Sequence, residues 1–134
     1  MRTPSSEQRS EVVFAAERRF RLWRYGVGHS QLLLRSLPFD QHRCLDLEFE
    51  QVTWLSLPAS FDRLAVSVLS DLPAGIPPGA RSLPGGRSLL VLGLTASDVV
   101  GTVVCASAKA AYSSWTPTGS DAEADDVVWD LRAG

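Results

Sequence analysis

Apolar and polar residues alternate with a period of two along much of this chain. In two stretches the polar positions carry opposite charge. Arg18-Arg19-Phe20-Arg21-Leu22-Trp23-Arg24-Tyr25 interleaves arginines with aromatic and aliphatic residues, and Leu45-Asp46-Leu47-Glu48-Phe49-Glu50 interleaves carboxylates with large apolar ones. A period of two sends successive side chains to opposite faces of a strand, so each stretch predicts a β-strand with one buried and one wet face. By simple alternation Arg19, Arg21, Trp23 and Tyr25 share the face opposite Phe20 and Leu22.

The rest of the pattern extends this picture. Gln31-Leu32-Leu33-Leu34 follows a glycine-containing loop, which predicts a hairpin with Arg18–Tyr25. Closing it over Gly26-Val27-Gly28 sets Leu22 opposite Leu32 and Phe20 opposite Leu34. The apolar phase changes from odd positions (Leu45, Leu47, Phe49) to even ones (Val52, Trp54), predicting a bulge or turn near Glu50-Gln51. Leu64, Val66 and Val68 mark a further strand, and Leu89–Leu94 reads as a central strand buried on both faces. Val99 to Ser107 is rich in β-branched residues, although the alanines from 106 to 111 suit a short helix equally well. Val127-Val128-Trp129 closes the chain as a strand or docked tail.

Together these elements predict an all-β fold: a single-domain antiparallel sandwich or barrel of about seven short strands. The alternative is an α+β fold with a helix within residues 99–111. Residues 1–10 read as a flexible lead-in and 11–134 as one β-rich domain. Four prolines and four glycines between Asp71 and Ser88 predict a long irregular loop at 73–88. Loops of that length in compact domains are commonly functional or disordered.

Composition narrows the function only by exclusion. With 134 residues, 45% hydrophobic and 21% charged, the chain fits a globular protein with a real core. A net charge of −2 argues against general attraction to nucleic acid or anionic membrane. The opening segment has no apolar signal core, and the apolar run 89–94 is too short to span a bilayer, so a cytoplasmic protein is expected. Cys44 and Cys105 lie too far apart in sequence for a metal knuckle or a CxxC pair and read as free thiols. No cofactor or metal site is implied.

Each constellation that could carry chemistry has a plainer reading. Asp46, Glu48 and Glu50 are spaced for paired-carboxylate work, but Arg19 and Arg21 would be their cross-strand ion-pair partners if the strands were neighbours. His29 beside Ser30, or His42 near Asp40, could serve a hydrolase with Asp46 and Glu48, but no nucleophile-elbow pattern accompanies them. Gly85-Gly86-Arg87-Ser88 lacks the lysine and the following helix of a phosphate loop. An Arg/aromatic strand face can stack nucleic-acid bases, yet Trp, Tyr and Arg are also the residues enriched in protein interfaces. The expectation is therefore a non-enzymatic β-domain that binds another protein or itself through Arg19, Arg21, Trp23, Tyr25 and His29, with no catalytic residue assigned. A small hydrolase or ligand-binding protein is the alternative.

Overall fold

A computed structural model of the chain describes residues 10–26, 28, 30–36, 43–82, 86–96, 99–114 and 124–133. The lead-in before Ser10, both histidines and residues 83–85 lie outside the described residues. Among those described, the strands are β1 (Ser10–Ala16), β2 (Phe20–Gly26), β3 (Gln31–Ser36), β4 (Arg43–Glu50), β5 (Trp54–Ser56), β6 (Ser60–Phe61), β7 (Leu64–Leu69), β8 (Leu90–Ala96), β9 (Val99–Cys105), β10 (Ser107–Ser114) and β11 (Ala124–Arg132). They build two antiparallel sheets packed together, β1-β7-β8-β9-β5 and β11-β10-β4-β3-β2-β6. The protein is an all-β sandwich.

Strand number exceeds the expected seven for a simple reason. Four runs of chain pass from one sheet into the other, so each is divided in two: β1 into β2, β4 into β5, β6 into β7 and β9 into β10. These runs pair with each other in both sheets, β1 with β7 and β2 with β6, β4 with β10 and β5 with β9. Each pair is thus a bent ribbon closing one side of the sandwich, the way strands make corners when they switch sheets. The bend after β4 is the phase change seen in the sequence. Gln51 adopts φ +52°, and the register slips by one residue between Glu50↔Ser107 and Trp54↔Val104. Two backbone hydrogen bonds of 2.9 Å hold it, Ala106 N–H to Glu50 O and Thr53 N–H to Val104 O.

The helix considered for 99–111 is not formed; those residues are β9 and β10, separated only by Ala106. The reason lies in packing. Ala108 and Ala110 stand directly opposite Phe49 and Leu47, all four fully or almost fully buried. Small residues across from large ones fill the interior evenly, and that tertiary fit overrides the helical propensity of alanine.

The core is the space between the sheets. Phe20, Leu34, Leu47 and Phe49 from the six-stranded sheet meet Val66, Leu92, Leu94 and Val103 from the other. β8 is central in its sheet with Val91 to Leu94 all buried, as its continuous apolar run predicts. The far side of the five-stranded sheet is also apolar: Leu89, Val91, Val104 and Ala106 form a second cluster with Trp54, Leu69 and Leu72. Leu72 opens the Pro/Gly-rich segment. That segment contains one 3₁₀ turn, Pro78–Arg81, tied to the sheet by the Thr53 hydroxyl donating to the Ala80 carbonyl and by Leu89 N–H to Arg81 O at 2.8 Å. No helix among the described residues is long and apolar enough to cross a membrane.

Edges of the two sheets also meet away from the ribbons. Phe14 of β1 stacks on Trp129 of β11, ring centroids 5.2 Å apart, bringing one edge of each sheet together. Elsewhere β5 and β2 flank a hollow of about 400 Å³ lined by Tyr25, Val52, Thr53, Trp54 and Leu55.

Candidate functional site

The hairpin β2–β3 differs from its predicted register, and the difference reshapes the site. Leu22 faces Leu34 and Phe20 faces Ser36, while Tyr25 faces Leu32 and Gly26 faces Gln31. The turn is therefore longer than three residues, and a bulge falls between Leu22 and Arg24. A bulge adds one residue to one strand and reverses the alternation beyond it. Cross-strand partners share a face, so Tyr25 lies on the side of Leu32, a core residue, while Arg24 lies with Leu33 on the outer side. Trp23 is also on the outer side, since its ring covers the guanidinium of Arg35. The expected single surface of Trp23 with Tyr25 is thus divided between the two sides of the sheet.

Strand order corrects a second expectation. β3 lies between β2 and β4, so Arg19 and Arg21 do not reach the acidic strand. Arg19 instead bonds Asp62 at 3.0 Å in the open. The partner of Asp46 is Arg35, directly opposite it on β3. Arg35 Nε donates to Oδ1 at 2.8 Å and Nη2 to Oδ2 at 3.0 Å, a two-point pair with both residues only 5% exposed. Burying a charge demands this kind of geometry, because the desolvation cost is offset only by close, multiple contacts. The Trp23 ring centroid lies 5.2 Å from the Arg35 guanidinium carbon and supplies a further attraction.

Three further contacts between outward side chains of this sheet are cross-strand and polar. Lys109 of β10 pairs with Glu48 at 3.4 Å. Glu50 accepts from Gln31 Nε2 at 3.2 Å and from the Ser107 hydroxyl at 3.3 Å. All three carboxylates of β4 are engaged, consistent with an ion-paired face, though with β3 and β10 rather than β2. Arg21, opposite Arg35, has no carboxylate partner among the described residues. Like charges directly opposite each other repel; the Asp46 carboxylate relieves this by neutralising Arg35.

On β2 the outer strip therefore comprises Arg21, Trp23 and Arg24, all exposed, with Trp23 41% exposed over a buried ion pair. Sequence reasoning does not single out Arg35, because it merely closes the apolar run Leu32–Leu34. Its signal was available: a lone arginine one hairpin away from an acidic strand. His29 and His42 cannot be placed, as they lie outside the described residues.

Both cysteines are free and buried. Burial pushes the Cys105 thiol up to about 12 against a small opposing pull from a backbone hydrogen bond at Ser107. The Cys44 thiol is raised too, first by burial; Arg35 and Arg18 lower it and Asp46 raises it. Neither is poised as a nucleophile. Among the described residues no three His, Cys, Asp or Glu side chains converge as metal ligands would.

The fold and the strip define a β-sandwich protein with a small cationic–aromatic surface and two buried thiols. Comparison with protein families, curated proteins and solved structures finds no match to this chain.

Proposed function

We propose that this β-sandwich works by binding another protein, a second copy of itself included, through the outer strip of β2. One observation carries the reading: Trp23 is exposed yet seated on the buried Arg35–Asp46 pair, flanked by Arg21 and Arg24. Tryptophan and arginine dominate binding energy in protein interfaces, and a side chain already held in place loses little entropy on association. The alternative of a hydrolase draws no support from the carboxylates it would need. Asp46 is committed to Arg35 and Glu48 to Lys109.

Affinity capture with the intact protein, together with its mass by light scattering, tests the proposal. Trp23→Ala and Arg21→Glu are expected to abolish recovery of the partner, or the dimer, while leaving the circular dichroism spectrum unchanged. A strictly monomeric protein whose Trp23→Ala variant keeps every partner would refute it.

A further inference from the structure

The open edge of β2 has a consequence for what the partner looks like. β6 is only two residues long and pairs with Phe20 and Arg21 alone; Leu22 N–H then donates to Ala59 O at 2.8 Å. Beyond Leu22 no strand lies along that edge among the described residues. In an antiparallel ladder the backbone groups of alternate residues point away from the paired strand. Leu22, opposite Leu34, is such a residue; past the bulge the role falls to Tyr25, opposite Leu32. The N–H and C=O of Tyr25 thus face outward, with no strand among the described residues to receive them.

Two features flank this edge. On the outer side are Trp23 and Arg21, which has no carboxylate partner among the described residues. On the inner side is the hollow shared with β5, whose only strand partner among the described residues is β9. Its lining of Tyr25, Val52 and Leu55 is largely apolar.

We infer that the partner docks as an extended, acidic segment that continues the line of β6 along Trp23–Gly26, adding a strand to the sheet. Side chains of an added strand alternate between the sheet's two sides. Those on the outer side meet Arg21 and Trp23 and are best acidic. Those on the inner side enter the hollow beside Tyr25 and are best apolar. The inference rests on the protein-binding reading above and specifies the partner's chemistry: alternating acidic and apolar residues in a β-conformation. Exposed edges of this kind pair readily with another chain, and β2 lacks a proline that would discourage it.

The probe is the blocked peptide Glu-Val-Glu-Phe-Glu-Val-Glu, titrated into the intact, isotope-labelled protein, with Lys-Val-Lys-Phe-Lys-Val-Lys as control. Binding of the acidic peptide is expected, with amide exchange at Tyr25 slowed about tenfold or more, as a new backbone hydrogen bond requires. Arg21→Gln should weaken it about fivefold to tenfold with the spectrum otherwise preserved, and the lysine peptide should not bind. No binding of the acidic peptide at millimolar concentration overturns the inference. So does binding that leaves Tyr25 exchange unchanged, or equal binding of the lysine peptide. None of these results touches the broader reading, which stands or falls on capture of a partner by wild type and its loss with Trp23→Ala.

Discussion

Two places where the edges of the sheets approach each other have opposite characters. Between β1 and β11 the approach is filled: Phe14 and Trp129 stack, and both pack against the core. Between β2 and β5 it is hollow, with Tyr25 38% exposed beside about 400 Å³ of empty space. Each brings an aromatic ring to the rim of the same core. One ring is used to finish the fold; the other is left where a partner can reach it. On the proposed reading, stability and recognition are assigned to different edges, and substitutions can test whether that division is real.

The largest effect should come from the buried pair beneath Trp23 at the open edge. Asp46→Asn removes the charge opposing Arg35 while both remain buried, and breaking a buried ion pair costs about 3–5 kcal/mol. Denaturant unfolding should show that loss. A drop below about 1 kcal/mol would mean that water reaches the pair and that Trp23 is not seated on a dry platform.

Next in size is the filled edge. Trp129→Ala removes a half-buried ring and its stack on Phe14, for an expected loss of about 2–3 kcal/mol. Tyr25→Ala should cost about 1 kcal/mol or less, since its ring has little to lose. Equal losses for the two variants would erase the comparison. Gly101→Ala attacks the open edge from the β5 side. A Cβ there would lie 2.6 Å from Leu57 Cδ2 and 3.0 Å from the Ser56 carbonyl. The end of β5 must move, at a cost of about 1–3 kcal/mol. Widening of the hollow should appear as chemical-shift changes at Tyr25 but not at Trp129.

How much of this was readable beforehand depends on what each feature rests on. β4, β7 and β8 announce themselves through local alternation or a continuous apolar run, and the corner at Gln51 through a change of phase. Those are properties of consecutive residues. The bulge in β2 is not: Arg21-Leu22-Trp23-Arg24-Tyr25 alternates acceptably with or without it, and only pairing with β3 decides. For the same reason the strip of Arg21, Trp23 and Arg24 was half legible. Its residue types stood out, while the side each one faces depended on a register set by the rest of the sheet. The Arg35–Asp46 pair needed strand order: pairing Asp46 with Arg19 or Arg21 assumes that β2 adjoins β4, whereas β3 lies between them.

The smallest effect tests whether the open edge leaks. Cys105 lies on the inner face of β9 within the core that both edges bound. Burial pushes its thiol from an ordinary 9.0 up to about 12, and a hollow that admitted water to that depth would return it toward the ordinary value. Well below pH 9 the thiol is protonated in folded and unfolded chains alike, so it adds no pH dependence there. Above that the unfolded chain releases the proton and the folded one does not, and stability must fall as pH rises. The slope approaches about 1.4 kcal/mol per pH unit for each such thiol. Between pH 9 and 10 the loss attributable to Cys105 is therefore about 1 kcal/mol or less. Cys105→Ala should flatten the unfolding free energy over that interval by this amount, whatever its effect on absolute stability. An unchanged slope, or rapid alkylation of Cys105 by iodoacetamide in the native protein at pH 8.5, would show that the hollow between β2 and β5 is a breach in the core and not a seat for another chain.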